Sequence, residues 1–257
     1  MALDATSTHM PRKSINSDTN RGLNLRFLTS ELWLTSLLLF CFVVALYWLT
    51  PTALNTFDAV SYANQIGRLY PHTGDLKWLY HPHHLLFNAV GYLVWRASQA
   101  LGYHGGPLAV LQRMNTVIGA VGIVIFYQTL RLLVLRSRWL PFLMALGLAA
   151  TFGYWICATD GRVNMPSNVL MLAAFYALCR QMNGATPRGA ALVGFLAGAA
   201  VLFHESAGLF LVAGLAGLLV AEQPAMVLPQ AAKRTRRAVI GAYLGAWAAT
   251  VLLPYLA

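Results

Sequence analysis

Residues 32–49 read LWLTSLLLFCFVVALYWL, a run without a single charged side chain. A helix that crosses a membrane needs about 20 consecutive apolar residues. This stretch therefore predicts a first transmembrane helix near the beginning of the chain. No small-residue cleavage site follows it, so we interpret the run as an anchor that stays in the protein and not as a removed signal peptide.

The whole chain shares the character of this stretch. Of its 257 residues, 58% are hydrophobic and 10% are charged. A soluble domain carries roughly a quarter charged residues, so this chain lacks the polar side chains that would cover a water-exposed surface. The composition excludes an ordinary cytosolic enzyme, a disordered protein and a disulfide-framed secreted module, and it indicates an integral membrane protein.

Six further apolar segments follow the first. They lie at 108–134, 140–157, 168–179, 190–203, 207–221 and 239–256. Together with 32–49 they predict an all-α, polytopic membrane protein with about seven transmembrane helices, all within one module that covers 30–257. Gly194 and Gly198, and again Gly241 and Gly245, have the GxxxG spacing that is typical of closely packed membrane helices.

The basic residues predict the orientation of these helices. The net charge is +10, and most Lys and Arg residues flank apolar segments: Arg12, Lys13, Arg21, Arg26, Arg131, Arg136, Arg138, Arg180, Arg188, Lys233, Arg234, Arg236 and Arg237. With the N-terminus in the cytoplasm, every one of these clusters falls on the inner side. The charge therefore indicates topology and contact with membrane lipids, and it argues against nucleic acid as a partner. We expect a bacterial inner membrane protein whose polar tail, 1–29, is cytoplasmic and disordered.

The same orientation places residues 51–107 outside, and this loop contains two predicted helices. Residues 55–70, NTFDAVSYANQIGRLY, have helical spacing that puts Asp58 and Tyr62 on one face, with Asn55 as the predicted N-cap. A second helix is predicted to begin at the step from His81 to Pro82. Because a further span here would invert every later loop, we interpret both helices as lying along the membrane surface.

Ionisable side chains gather on the outer side. Six of the seven histidines fall there, and so do the carboxylates of Asp58, Asp160 and Glu205. Such residues are costly near a membrane and indicate a functional site by default. For Asp160 the alternative is a simple ion pair with Arg162, two residues away.

Three of these features resemble GT-C fold membrane glycosyltransferases, of the protein O-mannosyltransferase and aminoarabinose transferase type (glycosyltransferase family 39). Asp58 matches the aspartate of the family's first outer loop, and residues 81–85, HPHHL, match its His-Pro-Pro-Leu stretch. Arg113, in LQRMNTVIGAVGIVIFY, matches the arginine that opens the second span. The resemblance covers about 30–215.

The chain also departs from the family pattern. Ala59 stands where many relatives have glutamate, and His83 replaces the second proline of the motif. Family members usually have more spans and a soluble C-terminal part, which leaves open that this chain is truncated at its C-terminus.

The resemblance implies transfer of a sugar from a polyprenyl-phosphate carrier to a glycan, lipid or protein acceptor on the outer face. Asp58 would be the catalytic base, and Arg113, His81 and His84 would bind the donor phosphate. We expect substrate contacts from four further residues, namely Tyr62, His204, Glu205 and Asp160. This scheme requires neither a metal ion nor another cofactor.

Two alternatives stay open at this point. The histidines of HPHH together with His204 could bind a metal ion or haem, although their spacing matches no established ligand set. The chain could also be a transporter or a non-catalytic lipid-binding protein, although its charges lie at one face and not at mid-membrane, where transporters bind their substrates.

Overall fold

The structure is a computed structural model that describes residues 18–134, 137, 139–182, 184–221 and 229–256, with side chains described from Glu31 onward and not for 229–234. Residues 1–17 of the predicted cytoplasmic tail, 1–29, lie outside the described residues. From Asp18 onward the backbone belongs to the first helix. No proline interrupts the sequence between Asp18 and Leu49, so the helix can extend beyond its apolar part.

The described chain is helical, as predicted. In chain order the helices are α1 (Asp18–Leu49), α2 (Phe57–Asn64), α3 (Tyr70–Thr73), α4 (Phe87–Ala100), α5 (Pro107–Leu133), α6 (Trp139–Ala150), α7 (Phe152–Thr159), α8 (Asn164–Cys179), α9 (Pro187–Phe203), α10 (Phe210–Val220) and α11 (Pro229–Leu256). A π-helical turn, Gln65–Leu69, joins α2 to α3, and 3-10 turns cover Leu76–Trp78 and Glu205–Leu209.

Three segments are long and apolar enough to cross a membrane: Glu31–Leu49 in α1, Pro107–Leu133 in α5 and Thr235–Leu256 in α11. They coincide with three of the seven predicted spans, and they indicate a membrane protein. The other four predicted spans fall on shorter or bent helices. The segment predicted as 140–157 bends by 64° between α6 and α7, because Thr151 has an extended backbone there.

The remaining three are short for a bilayer. α8, α9 and α10 have 16, 17 and 11 residues. At about 1.5 Å per residue, these helices reach roughly 16–26 Å, which is less than the hydrocarbon thickness of about 30 Å.

The core around α1 and α5 explains why these helices pack closely. Val43 and Tyr47 of α1 are buried against Ile123 of α5, and the Tyr47 hydroxyl donates to the carbonyl of Ala149, at 2.9 Å. Gly119 allows α5 to approach α7, because a Cβ at this position would lie 2.8 Å from the Cβ of Ala158. A larger residue would push the two helices apart.

One of the two predicted GxxxG contacts is confirmed. A Cβ at Gly194 of α9 would collide with the backbone of Tyr243 in α11, and a Cβ at Gly198 would lie 2.9 Å from the Cβ of Thr250. Gly241 and Gly245 face open space within the described part of the chain. The small residues of α9 therefore form its contact with α11.

The predicted outer loop, 51–107, folds into the two predicted helices, with two corrections at their starts. Thr56, and not Asn55, is the N-cap of α2, because its side chain accepts from the Ala59 amide. The Asn55 side chain instead accepts from Gln112 Nε2 of α5, at 2.9 Å. This bond attaches the beginning of α2 to α5.

The second helix, α4, begins at Phe87 and not at the His-Pro step. Residues 81–86 form turns instead. Tertiary contacts hold this segment: the Leu86 amide donates to the Leu202 carbonyl at 2.9 Å, and the Tyr255 hydroxyl donates to the Pro82 carbonyl at 2.7 Å. Because both bonds come from distant parts of the chain, local sequence signals could not predict this turn.

Candidate functional site

Helix α2 presents Asp58 and Tyr62 one turn apart, as predicted. Asp58 is exposed, whereas Tyr62 is 8% exposed and packs in a core with Phe87. Burial, with a smaller effect of the Asp58 charge, raises the pKa of Tyr62 to about 12. Tyr62 is therefore a neutral phenol at pH 7, and Asp58 is left as the solvent-accessible carboxylate of this face.

The turn at 81–86 brings three histidines together and places one of them, His84, against Tyr62. The rings of His81 and His84 stack with centroids 4.3 Å apart, and the His84 ring meets Tyr62 edge-on at 4.8 Å. His84 is 6% exposed. Burial lowers the pKa of His84 to about 4, with smaller effects from His81, His204 and His83 and an opposing effect from Glu205.

His84 is therefore a neutral imidazole at pH 7. Its buried Nε2 has no hydrogen-bond partner among the described residues. A buried polar atom of this kind normally has a partner in a native structure. The Nε2 of His84 is thus a candidate contact for a bound group, as a neutral hydrogen-bonding atom and not as a cation.

A contact that the sequence did not predict joins this turn to the one after α9. His83 Nδ1 lies 2.7 Å from Glu205 Oε2, and the Glu205 amide donates to the His83 carbonyl at 3.2 Å. The hydrogen bond from His83 lowers the pKa of Glu205. The two residues are 122 positions apart, so the sequence carries no local signal for the pair.

His204 precedes Glu205, and its imidazole bonds with the residues of the following turn. Its Nδ1 is 2.7 Å from the hydroxyl of Ser206 and accepts from the Ser206 amide at 3.3 Å. The imidazole thus caps the short 3-10 turn Glu205–Leu209. The predicted site residues His81, His84, His204 and Glu205 do come together, and His83 belongs with them.

Asp160 lies in the turn between α7 and α8, and both of its carboxylate oxygens bond with the protein. It is buried, at 0% exposure. Its Oδ2 accepts from Thr56 Oγ1 at 2.7 Å and from Arg162 Nε at 2.9 Å, and its Oδ1 accepts from the Gly161 amide at 2.9 Å. These contacts are all with the protein itself, so direct substrate contact by Asp160 stays a prediction.

The alternative prediction for Asp160, an ion pair with Arg162, is confirmed. The turn is also fixed to α5, since Asn115 Nδ2 donates to the carbonyls of Asp160 and Arg162 at 2.7 and 2.8 Å. Through Thr56, which caps α2, this buried turn holds the helix that presents Asp58. Asn115 and Thr56 are positioning residues that sequence analysis missed.

Arg113 lies in the second turn of α5 and is exposed. Its guanidinium stacks over Trp48, 5.0 Å from the ring centroid, and over Tyr103, 5.5 Å from that centroid. Gln112, the preceding residue, binds Asn55 in front of α2. The aromatic faces thus orient the guanidinium beside the start of α2, and its N–H groups can still reach an oxyanion.

These contacts define one cluster, which we call the outer cluster after its predicted side of the membrane: Asp58 and Tyr62 on α2, His81, His83 and His84 in the loop, and His204 and Glu205 after α9. Within the described part of the chain, no group of three or more His, Cys, Asp or Glu side chains is arranged to hold a metal ion. In chemical terms, the outer cluster offers an exposed carboxylate, neutral imidazole and a paired acid. Arg113 adds an oriented cation at the α5 edge.

The chain matches no protein family, no curated protein and no solved structure. The resemblance to GT-C glycosyltransferases therefore rests on Asp58, on the HPHHL stretch and on Arg113. Membership of the GT-C glycosyltransferases stays a prediction. The side chains of the outer cluster and Arg113 supply the chemistry on which a proposal can be based.

Proposed function

We propose that this protein is a membrane glycosyltransferase that moves a sugar from a polyprenyl-phosphate carrier to an acceptor on the outer face of the membrane. One observation carries the proposal. Tyr62 has an exposed carboxylate, Asp58, one turn away on α2, and its ring contacts the buried imidazole of His84 at 4.8 Å. A proton acceptor and an imidazole that can hydrogen-bond to an oxyanion are thus both neighbours of Tyr62.

In the proposed reaction, the acceptor oxygen or nitrogen attacks the anomeric carbon of the sugar. The bond between this carbon and the carrier phosphate breaks, and its electron pair leaves with the polyprenyl phosphate. Asp58 takes the proton that the acceptor loses. Arg113 supplies the positive charge that stabilises the departing phosphate, and neutral His84, backed by His81, adds a hydrogen bond.

The remaining residues have supporting roles in this scheme. Tyr62 contributes a neutral hydroxyl-bearing ring to the substrate surface. Glu205 and His204 bind the sugar or acceptor from the turn after α9, with His83 holding Glu205 in place. Asp160 positions α2 through Thr56. The scheme uses no metal ion or other cofactor.

We further propose seven membrane crossings, with the N-terminus in the cytoplasm of a bacterial cell and the outer cluster on the other side of its inner membrane. The distribution of Lys and Arg supports this orientation. A cysteine-labelling experiment tests it. In a chain with Cys41, Cys157 and Cys179 replaced by alanine, H72C should react with an impermeant maleimide in intact cells and R237C should not. The reverse pattern would refute the orientation.

A reconstituted system tests the activity itself. The full chain in liposomes is given polyprenyl-phosphate sugars and the candidate acceptors, and sugar transfer is followed by mass spectrometry. Transfer that depends on Asp58 supports the proposal. Carrier binding without transfer to any acceptor would favour the alternative of a non-catalytic lipid-binding or transporter-like protein. Stoichiometric metal or haem in the purified protein would favour the alternative of a histidine-ligated metal or haem protein.

A further inference from the structure

A groove lies at the end of the bundle opposite the outer cluster. It has a volume of about 680 Å³ and is lined by α1, α5 and α6. The first half of the α1 span lines it, with Leu34, Leu38 and Phe42, and so does the last turn of α5, with Arg131. The outer cluster lies instead near the end of α1 and the start of α5, where Trp48 contacts Arg113.

The polar groups of the groove are concentrated at one end. Arg131 and Glu31 line it there. The Nε of Arg131 is buried and has no hydrogen-bond partner among the described residues. Such a guanidinium nitrogen lacks the acceptor that buried donors normally have. An oxyanion in the groove would supply this acceptor, and phosphate suits the planar fork of arginine.

The rest of the groove is apolar and open. Leu34, Leu38 and Phe42 are 58%, 61% and 54% exposed, and Trp139, at the start of α6, is 75% exposed. Tryptophan at this position is typical of the headgroup level of a membrane. The polar end of the groove therefore lies where lipid headgroups lie, and its apolar part points toward the middle of the bilayer.

The length of the groove matches one lipid leaflet. Glu31 and Phe42 both line it, and a helix with a rise of about 1.5 Å per residue separates them by roughly 16 Å. Half of the hydrocarbon core is about 15 Å. An acyl chain that starts at Arg131 would therefore end near Phe42.

We propose that this groove binds a zwitterionic glycerophospholipid, phosphatidylethanolamine, with its phosphate on Arg131, its ammonium group on Glu31 and one acyl chain along α1. A carboxylate has two oxygens and can accept several hydrogen bonds at once, so Glu31 can receive the ammonium group beside its other contacts. Because the groove is remote from Asp58, this lipid is a bound component and not the sugar carrier.

A binding experiment on the purified full chain in detergent tests this site. The probes are dipalmitoyl phosphatidylethanolamine, phosphatidylglycerol with the same chains, and glycerophosphoethanolamine, which is the headgroup without chains. Affinity is measured by native mass spectrometry. We expect the chainless headgroup to bind at least about 100-fold more weakly than the ethanolamine lipid, because burial of each CH₂ adds about 0.8 kcal/mol, and phosphatidylglycerol to bind more weakly because it lacks the ammonium group.

Two pairs of variants separate the contacts. R131Q should weaken binding of the ethanolamine lipid about tenfold, since it removes a charge-assisted hydrogen bond. R237Q is the matched control, because Arg237 is exposed at the same end of the bundle, and it should leave the affinity unchanged. L38W fills the groove and should abolish binding, whereas L37W should not, although Leu37 is equally exposed, at 58%.

Several results would overturn the proposal. Binding of R131Q or L38W at the wild-type affinity would remove the groove as the site, and equal binding of the chainless headgroup would reduce it to a simple ion contact. Equal affinity for phosphatidylglycerol would remove the role of Glu31. L38W leaves Arg131 intact, so a folding defect of R131Q would not prevent the test.

Discussion

Helix α2 and the turn between α7 and α8 meet at Thr56, and each carries one aspartate in an opposite environment. Asp58 on α2 is exposed. Asp160 in the turn is buried, and both of its oxygens accept hydrogen bonds. A buried carboxylate that bonds with its own protein is less accessible to a substrate than an exposed one. The difference teaches that nearness of two carboxylates in the fold does not make their oxygens equally accessible.

The largest effect is expected from D58N. In the proposed reaction this change removes the proton acceptor and keeps the shape, so the rate of sugar transfer should fall about 10²–10⁴-fold with an unchanged Tm. Transfer by reconstituted protein is the measurement. D75N is the matched control, because Asp75 lies in the same predicted outer loop and its side chain bonds with Lys77. Transfer by D58N within a few-fold of wild type would exclude Asp58 as the base.

For Asp160, the buried aspartate, we expect substitution to lower the Tm. D160A leaves Arg162, Thr56 and the Gly161 amide without their common acceptor, and removal of one partner from a buried ion pair costs about 3 kcal/mol. This loss should lower the Tm in detergent by roughly 10 °C. D58A should leave the Tm within about 1 °C of wild type, since an exposed substitution changes stability little. Equal Tm values for the two variants would contradict the assigned positioning role.

The same contrast applies to the histidines and predicts a pH dependence. The folded state holds the pKa of His84 at about 4, below its ordinary value of 6.5. Between these values the unfolded chain binds the proton and the folded chain does not, so stability is full above pH 6.5 and falls as the pH is lowered toward 4. The charged groups that act on His84 are His81, His83 and His204, which favour its neutral form, and Glu205, which opposes them.

We therefore expect a Tm at pH 5 that is roughly 5 °C lower than at pH 7.5. H84Q cannot take up the proton and should remove most of this difference, whereas H72Q, at an exposed position of α3, should keep it. Thermal unfolding in detergent at the two pH values is the measurement. An undiminished pH effect in H84Q would show that another group causes it.

The sequence predicted those features that depend on local pattern. The helix with Asp58 and Tyr62 on one face follows from spacing alone, and so do the three long apolar helices. The sequence could not predict features that arise from contacts between distant residues. Leu86 bonds with Leu202 and turns the chain where a helix was expected, and Asp160 is buried because Thr56 and Asn115 reach it from other elements.

Arg162 and Arg113 show the same contrast between a side chain paired within the protein and an accessible one. Substitution of Arg113 has the smallest expected effect of the predictions. Arg162 is held by Asp160 at 2.9 Å, whereas Arg113 stacks on Trp48 and Tyr103 and keeps its N–H groups accessible. R113A should therefore weaken binding of a polyprenyl phosphate about tenfold, which is the loss of one charge-assisted contact.

R113K sharpens this prediction, because lysine keeps the charge and the contact with the aromatic rings but offers no planar fork to a phosphate. We expect it to recover only part of the affinity lost in R113A. Carrier affinity is measured by native mass spectrometry, with R96A as the control, since Arg96 is an exposed arginine of the outer loop that bonds with Gln99. If R113A and R113K bind the carrier as wild type does, Arg113 serves only to pack Trp48 against Tyr103, and the phosphate contact must come from the histidines instead.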